Sequence, residues 1–479
     1  MSEKKNFISN FLVIGSSTII NMLISLITTP IITRIVDPDV YGQLSIFNIY
    51  TGIAVMVLCL GLDQALVRFF YEEDTIQYKS SLLRACTIYP VIITIPILGI
   101  VICLACFHIV KFEFSSLIVV FLCINIFVNL INRIAVLVLR LTYQSDKYAI
   151  SNIITKAVNV SLILILVFSV RKHYFLLMAI AAVASILAST IYAIGSTKEI
   201  WNFNNATVSV DIKAIFRYGL PLIFSLGITQ LFQALDKISL NMYRTYEEVG
   251  IYSSAMSIIS VFAIIQSTFN ALWGPMQVEH YTKHPEDTQY ISKANGYITA
   301  IMFFIGLSLI LVKDIFALLL GPKFREAAYI MPFLIFNPIM YTISETTCSG
   351  IEKSKKTYLN IVIAIIACVA NFIGNTLLVP ALGGKGAAIS TGLSYILFWA
   401  ARTVFSNKYY YIDYHIKRFM IITLISIAYA GYNTFFKMNI VSVGLYCFCV
   451  LILGICYKNE ISGVFTMIKK YIAQSKLRK

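Results

Sequence analysis

The sequence predicts an all-α polytopic membrane protein of about fourteen transmembrane helices, and three observations carry that prediction. The chain of 479 residues is 58% hydrophobic and only 13% charged, where a soluble domain carries about 25% charged residues. Apolar runs of roughly 20 residues, the length that crosses the hydrocarbon of a bilayer, recur along the whole chain. The two halves also resemble each other, which predicts a duplicated bundle.

The runs lie at about 9–32, 44–66, 85–107, 115–139, 149–170, 174–195, 218–242, 250–272, 295–313, 327–348, 358–379, 386–405, 419–436 and 440–457. What remains is loops and tails, with no room for a folded soluble domain. The start, "MSEKKNFISNFLVIGSSTII", has a basic head and an apolar run but no clear small-x-small cleavage site. It is therefore expected to stay as the first helix. Lysine and arginine placement then sets orientation. With the N-terminus inside, most of the 38 Lys and Arg fall on the cytoplasmic side, among them Lys4, Lys5, Arg84, Lys147, Lys353 and Arg402. Both termini are expected in the cytoplasm. The net charge of +15 is thus largely topological. No basic domain exists for nucleic acid, and the tail "MIKKYIAQSKLRK" (467–479) is expected to rest on anionic membrane lipid. The ten cysteines are scattered, mostly within spans, and suggest no disulfide framework.

Duplication shows in two places. "TRIVDPDVYGQLSIFNI" (33–49) and "YRTYEEVGIYSSAMSI" (243–258) both end one helix, turn on acidic residues and open the next. "LRLTYQSDKYAISNIITKAVNVSLILILV" (139–167) matches "SGIEKSKKTYLNIVIAIIACVANFIGNTLLV" (349–379), with Tyr148 opposite Tyr358. Six helices repeating as six places both halves in the same orientation, about a pseudo-two-fold along the membrane normal. The expected organisation is an N-terminal lobe at 1–200, a C-terminal lobe at 201–406, and two further helices with the basic tail at 407–479. Parallel repeats of this kind belong to alternating-access transporters, so a transporter is expected rather than an enzyme.

Ionisable groups inside spans are costly, by roughly 2.5–3.5 kcal/mol at the bilayer centre, and face a bundle interior or a wet cavity. The candidates are Asp63, Arg133, Lys156, Asp236, Lys237 and Glu345, with Arg34 and Arg68 at span edges. At 1.5 Å per residue, Arg133 lies about 10 Å inside Arg140 and Lys156 about 14 Å inside Lys147. Asn125, Asn129, Asn132 and Arg133 follow helical spacing on the fourth helix, and Asn152, Lys156 and Asn159 on the fifth. Such stripes either glue helices together or line a polar cavity, and a cation at similar depth in each favours the cavity. Lys237 is the expected cavity group of the Asp236–Lys237 pair, and Asp236 the structural partner. The carboxylates Asp63, Asp236 and Glu345 are expected to be structural counter-ions or to serve coupling. No catalytic constellation stands out. "GGKGAAIS" (383–390) lacks the spacing of a phosphate loop, and His280 and His284 beside Glu279 suit a solvated loop better than a metal site. No cofactor or metal is expected. Transport would be driven by an ion, proton or sodium, or by the substrate's own gradient.

Four segments carry a resemblance to a known family. They are "ITTPIITRIVDPDVYGQLSIFNIY", "GLDQALVRFFYEED", "RYGLPLIFSLGITQLFQALDKISLNMYRTYEEVGIYSSA" and "NTLLVPALGGKGAAISTGLSY", in order over about residues 8–405. They resemble the Wzx-type O-antigen and capsule flippases of the multidrug/oligosaccharidyl-lipid/polysaccharide exporter superfamily. The resemblance implies a MATE-like fold of two six-helix lobes. It also implies flipping of an undecaprenyl-pyrophosphate-linked oligosaccharide across a bacterial inner membrane, alongside other polysaccharide assembly proteins. Asp63, Arg68, Asp236 and Lys237 occupy its motif positions. Two rivals follow from the same inventory. A drug or cation antiporter of that superfamily would favour carboxylates and aromatics in its cavity. A membrane glycan polymerase or ligase would carry a large external loop, and the longest outer loop, about 314–326, is short.

Overall fold

The computed structural model describes residues 24–170, 174–284 and 286–463, and all the regular structure in them is helical. The first part of the predicted first span, the retained-leader reading of it and the basic tail at 467–479 lie outside the described residues. Eleven described helical segments are long and apolar enough to cross a membrane, two of them, Tyr246–Lys283 and Ala327–Thr347, each made of two helices in line. The three other predicted spans correspond to α1 (Ile24–Ile35), α19 (Ile416–Phe435) and α20 (Ile440–Cys456). Two compact units divide the chain: residues up to Thr28 with Ile35–Ala234, and Thr29–Arg34 with Leu235–Lys479.

The first unit begins with α2 (Pro38–Leu58), which opens on Pro38, a residue suited to the first helical turn because its missing N–H is unpaired there anyway. The helix stops at Leu60 and Gly61, both at positive φ. The predicted span at 44–66 is therefore two helices, and Asp63 stands in the first turn of α3 (Leu62–Phe69). Gly61 is required twice over. Its φ of 67° is adopted with least strain by a residue without a Cβ, and a Cβ there would collide with the backbone of Gly219. There follow α4 (Ile76–Cys106), α5 (Ser116–Leu141), α6 (Ser145–Val170), α7 (Tyr174–Ser196), the single turn α8 (Lys198–Trp201) and most of α9 (Ile212–Tyr243). Pro90 and Pro96 sit inside α4 and Pro221 inside α9. Transmembrane helices tolerate such prolines because neighbouring groups satisfy the freed carbonyls. α5 packs against α2, α3, α4, α6 and α7. Its apolar stripe of Leu130, Ile134 and Val138 joins Leu62, Leu66, Leu82 and Cys86 in one buried core. That leaves the polar stripe of α5 on another face.

The second unit holds the end of α9 and then α10 (Tyr246–Ile259), α11 (Ala263–Lys283), α12 (Thr288–Leu311), α13 (Lys313–Leu319), α14 (Ala327–Leu334), α15 (Phe336–Thr347), α16 (Ser349–Lys353), α17 (Tyr358–Leu382), α18 (Gly384–Asn407), α19 and α20. Two predicted spans are again broken. A 3-10 turn at Ser260–Phe262 separates α10 from α11, and α14, with Pro332 in its last turn, meets α15 at Ile335. Thr245 caps α10, its hydroxyl accepting from the Glu248 N–H. Glu248 in turn accepts from the Gly384 N–H that opens α18. Both sequence matches form the same local structure in each half, a helix end, a short turn and a new helix. α15 and α17 pack on α18, and α19 packs on α14 and α20.

Candidate functional site

The polar stripe of α5 builds the candidate site in the first unit. Asn125 is buried and donates to Thr51 Oγ1 of α2 at 3.0 Å. Asn129 donates back to Asn125 Oδ1 at 3.1 Å. Asn132 reaches α7, donating to Ser189 Oγ and Thr190 Oγ1 at 3.2 and 3.0 Å. Arg133, on the same face, turns towards α3. Its Nε and Nη2 donate to Asp63 Oδ2 at 2.9 and 2.6 Å, and Gln64 Nε2 adds a third bond to that oxygen at 2.9 Å. Asp63 is 4% exposed and Arg133 39% exposed. The carboxylate is thus the buried anchor and the guanidinium the open partner.

Arg133 opens onto a cavity of about 380 Å³ lined also by Thr51, Gly52, Asn129, Asn132, Thr229 and Gln230. Gly52 gives the Gln230 amide room, since a Cβ there would stand 3.3 Å from Gln230 Nε2 and the side-chain end would have to give slightly. The polar part of the lining is amide, hydroxyl and guanidinium, and Val55, Met56 and Leu226 complete the wall. Pairing with Asp63 cancels the formal charge and so lowers the cost of holding Arg133 at membrane depth. It also locks the guanidinium plane through Nε and Nη2, and Nη1 makes no protein hydrogen bond among the described residues. An arginine fixed by one edge and open at the other is suited to an anionic ligand, because the fork matches phosphate geometry. The surrounding amides and hydroxyls both donate and accept, as sugar hydroxyls require.

The other predicted residues lie elsewhere. Lys156 is exposed on α6 and does not line this cavity, nor do Asn152 and Asn159. Similar depth did not bring the stripes of α5 and α6 to the same cavity, because depth does not specify the direction a residue faces. Arg34 is exposed at the end of α1, and Arg68 is an exposed surface residue paired with Glu72 at 3.3 Å.

Asp236 is buried in the second unit and accepts from four neutral donors. Asn371 and Asn375 donate to Oδ1 at 3.0 and 2.9 Å, and Tyr252 and Thr391 donate to Oδ2, each at 2.5 Å. The donors come from α10, α17 and α18, so this one carboxylate joins those three helices to α9. Lys237, one residue on, is half-buried. Glu345 is engaged by Arg402, which the charge count sets on the cytoplasmic side. It is buried inside α18, donating to Glu345 Oε1 at 2.6 Å and Ser344 Oγ at 2.9 Å. The signal was available: Arg402 lies within the predicted span 386–405, as Glu345 lies within 327–348, and two opposite charges inside spans invite pairing. His280 contacts Asp287 at 3.1 Å and stacks on Tyr290 at 3.9 Å.

Comparison with known proteins sets these sites in a family. The sequence model described as polysaccharide biosynthesis protein matches residues 7–277. An uncharacterized membrane protein of Methanocaldococcus jannaschii is 24% identical over 301 residues, 60% of this chain and 58% of that protein. The probable low-salt glycan biosynthesis flippase Agl15 of Haloferax volcanii is 21% identical over 306 residues, 62% of this chain and 63% of that protein. The chain thus spans about three fifths of the length of the curated relatives it matches. Among solved structures, the lipid II flippase MurJ in an inward closed conformation superposes with a TM-score of 0.68 at 14% identity, over 95% of this chain and 99% of that one. An inward-facing multidrug resistance MATE family transporter of the MOP superfamily gives 0.57 at 18% identity, over 83% and 97%. The fold is therefore the MurJ/MATE-like helical membrane fold. With more than half of its length matched, the chain belongs to the polysaccharide biosynthesis protein family.

Proposed function

We propose that this protein is a transporter, a flippase for undecaprenyl-pyrophosphate-linked oligosaccharide. On this reading it moves an O-antigen or capsule repeat unit across a bacterial cytoplasmic membrane by alternating access, with both termini in the cytoplasm. The observation that carries the reading is Arg133, held by Asp63 and open onto an amide- and hydroxyl-lined cavity. A pyrophosphate needs a cation, and glycan hydroxyls need donors and acceptors. The polyprenyl tail needs neither and stays in the hydrocarbon. At about 380 Å³ the cavity suits the pyrophosphate end and an adjoining sugar rather than the whole repeat unit. Family membership supports the reading, as does the flippase named among the archaeal relatives. The coupling ion on this reading is a proton or sodium, with Asp63, Asp236 and Glu345 as the candidate coupling or structural carboxylates. Lys237 and Lys156 remain candidate substrate cations outside the described cavity.

The test is deletion of the gene in its host, with lipid-linked oligosaccharides extracted and their leaflet assigned by accessibility. The expected outcome is a glycan intermediate trapped on the cytoplasmic face, cleared by the wild-type gene but not by Arg133→Ala. Normal glycan export after deletion, with drug sensitivity as the sole phenotype, would replace the flippase by the antiporter.

A further inference from the structure

A second cavity, of about 860 Å³, lies in the second unit among α12, the α18–α19 loop, the start of α19 and the helical residues that follow Tyr457 after α20. Its charged lining divides into two classes. Asp413 and Glu460 are committed internally. Asp413 accepts from the His415 backbone N–H at 2.8 Å and pairs with its ring at 3.1 Å. Glu460 pairs with Arg418 at 3.3 Å, and that guanidinium also lies 5.3 Å from the Tyr457 ring centroid. Lys293 and Lys417 also line the cavity. Both are exposed, and neither has a carboxylate partner among the described residues. Tyr297, one turn from Lys293 on α12, Tyr411 and Asn459 add neutral hydrogen-bonding groups to the lining. Two uncommitted ammonium groups beside neutral donors form a site for a phosphate.

The apolar surroundings say what carries that phosphate. Ile416 lines the cavity and begins an exposed stripe along α19 at Ile416, Met420 and Leu424. Asn459 lines it too, and the preceding exposed residues on α20 are Ile455, Leu451 and Phe448. α19 and α20 pack side by side. Each of the two helices thus carries an exposed apolar stripe that starts at the pocket, spaced at three or four residues as one face of a helix requires. That is the shape of a lipid: a charged head above hydrocarbon chains.

We propose that this cavity binds the phosphate of an anionic phospholipid, with the acyl chains laid along α19 and α20. The two C-terminal helices thereby acquire a role separate from the Arg133 cavity, as the frame of a lipid site. Lys293 and Lys417 recognise the phosphate, and the apolar stripes distinguish a lipid from the free anion.

The test uses the full-length protein purified in neutral detergent. Thermal unfolding and lipid adducts in native mass spectrometry are followed with phosphatidylglycerol, phosphatidylcholine or inorganic phosphate. Phosphatidylglycerol is expected to raise the midpoint by several degrees and to persist as an adduct, whereas the other two do neither. Lys293→Gln/Lys417→Gln should lose at least half of both effects. Lys408→Gln/Lys458→Gln, which removes equal charge outside the cavity lining, should retain them. Equal losses in the two double variants, or a shift reproduced by inorganic phosphate alone, would overturn the proposal.

Discussion

Replacing Arg133 by alanine separates its two duties, neutralising Asp63 and meeting a ligand. The change removes two charge-assisted hydrogen bonds, at 2.9 and 2.6 Å. Such bonds contribute about 1.5–3 kcal/mol each, so the gross loss is about 3–6 kcal/mol. Two features reduce it. Gln64 still donates to Asp63, and Arg133 is 39% exposed, so water replaces part of what is lost. About 2 kcal/mol of destabilisation remains, seen as a fall of a few degrees in the unfolding midpoint of the detergent-purified protein. Adding Asp63→Asn removes the stranded charge and should return roughly half of that loss, as a coupled pair requires. Glycan export in the deletion host should stay low in both variants, because the cavity cation is absent from both. The reasoning fails if the double variant recovers export together with stability, since Arg133 would then be a counter-ion to Asp63 and nothing more.

Three further outcomes follow from the geometry. Asp236→Ala takes the acceptor from the buried Tyr252 and Thr391 hydroxyls, each loss costing about 1–3 kcal/mol. It also takes one bond each from Asn371 and Asn375, which keep Thr391 Oγ1 and Asn371 Oδ1, and should lower the midpoint by ten degrees or more. A midpoint within two degrees of wild type would show that the four-donor cluster does not hold the unit together. Arg402→Ala leaves Glu345 without its cation and should destabilise by about 3–5 kcal/mol, while Arg402→Ala/Glu345→Gln recovers much of it in the same unfolding assay. Lys156→Ala, on an exposed face of α6, should leave the unfolding midpoint unchanged and reduce export less than Arg133→Ala does. Equal export defects would place Lys156 on the substrate path with Arg133.

Features that reside along a single helix were legible without the fold. Apolar runs marked the spans because the bilayer sets one length for all of them. The stripe of Asn125, Asn129, Asn132 and Arg133 could be read from helical period alone, and the structure finds those residues on one face of α5, two of them with Arg133 at a cavity. Breaks inside spans were missed, because Leu60–Gly61 and Ser260–Phe262 interrupt the helix without interrupting hydrophobicity.

By itself the sequence determined the class and the order of the spans and led to the expectation of a duplication, for hydrophobic run length and repeated turns are one-dimensional properties. Only the tertiary structure decided which charge meets which. Arg133 and Asp63 are 70 residues apart, Asp236 and Asn371 are 135 apart, and Arg402 and Glu345 are 57 apart. Sequence supplies a residue's depth along its own helix, but partnership also depends on the helix's rotation and on its neighbour. Those are set by packing, and packing separates Lys156 from the cavity and seals Asp236 within its ring of donors.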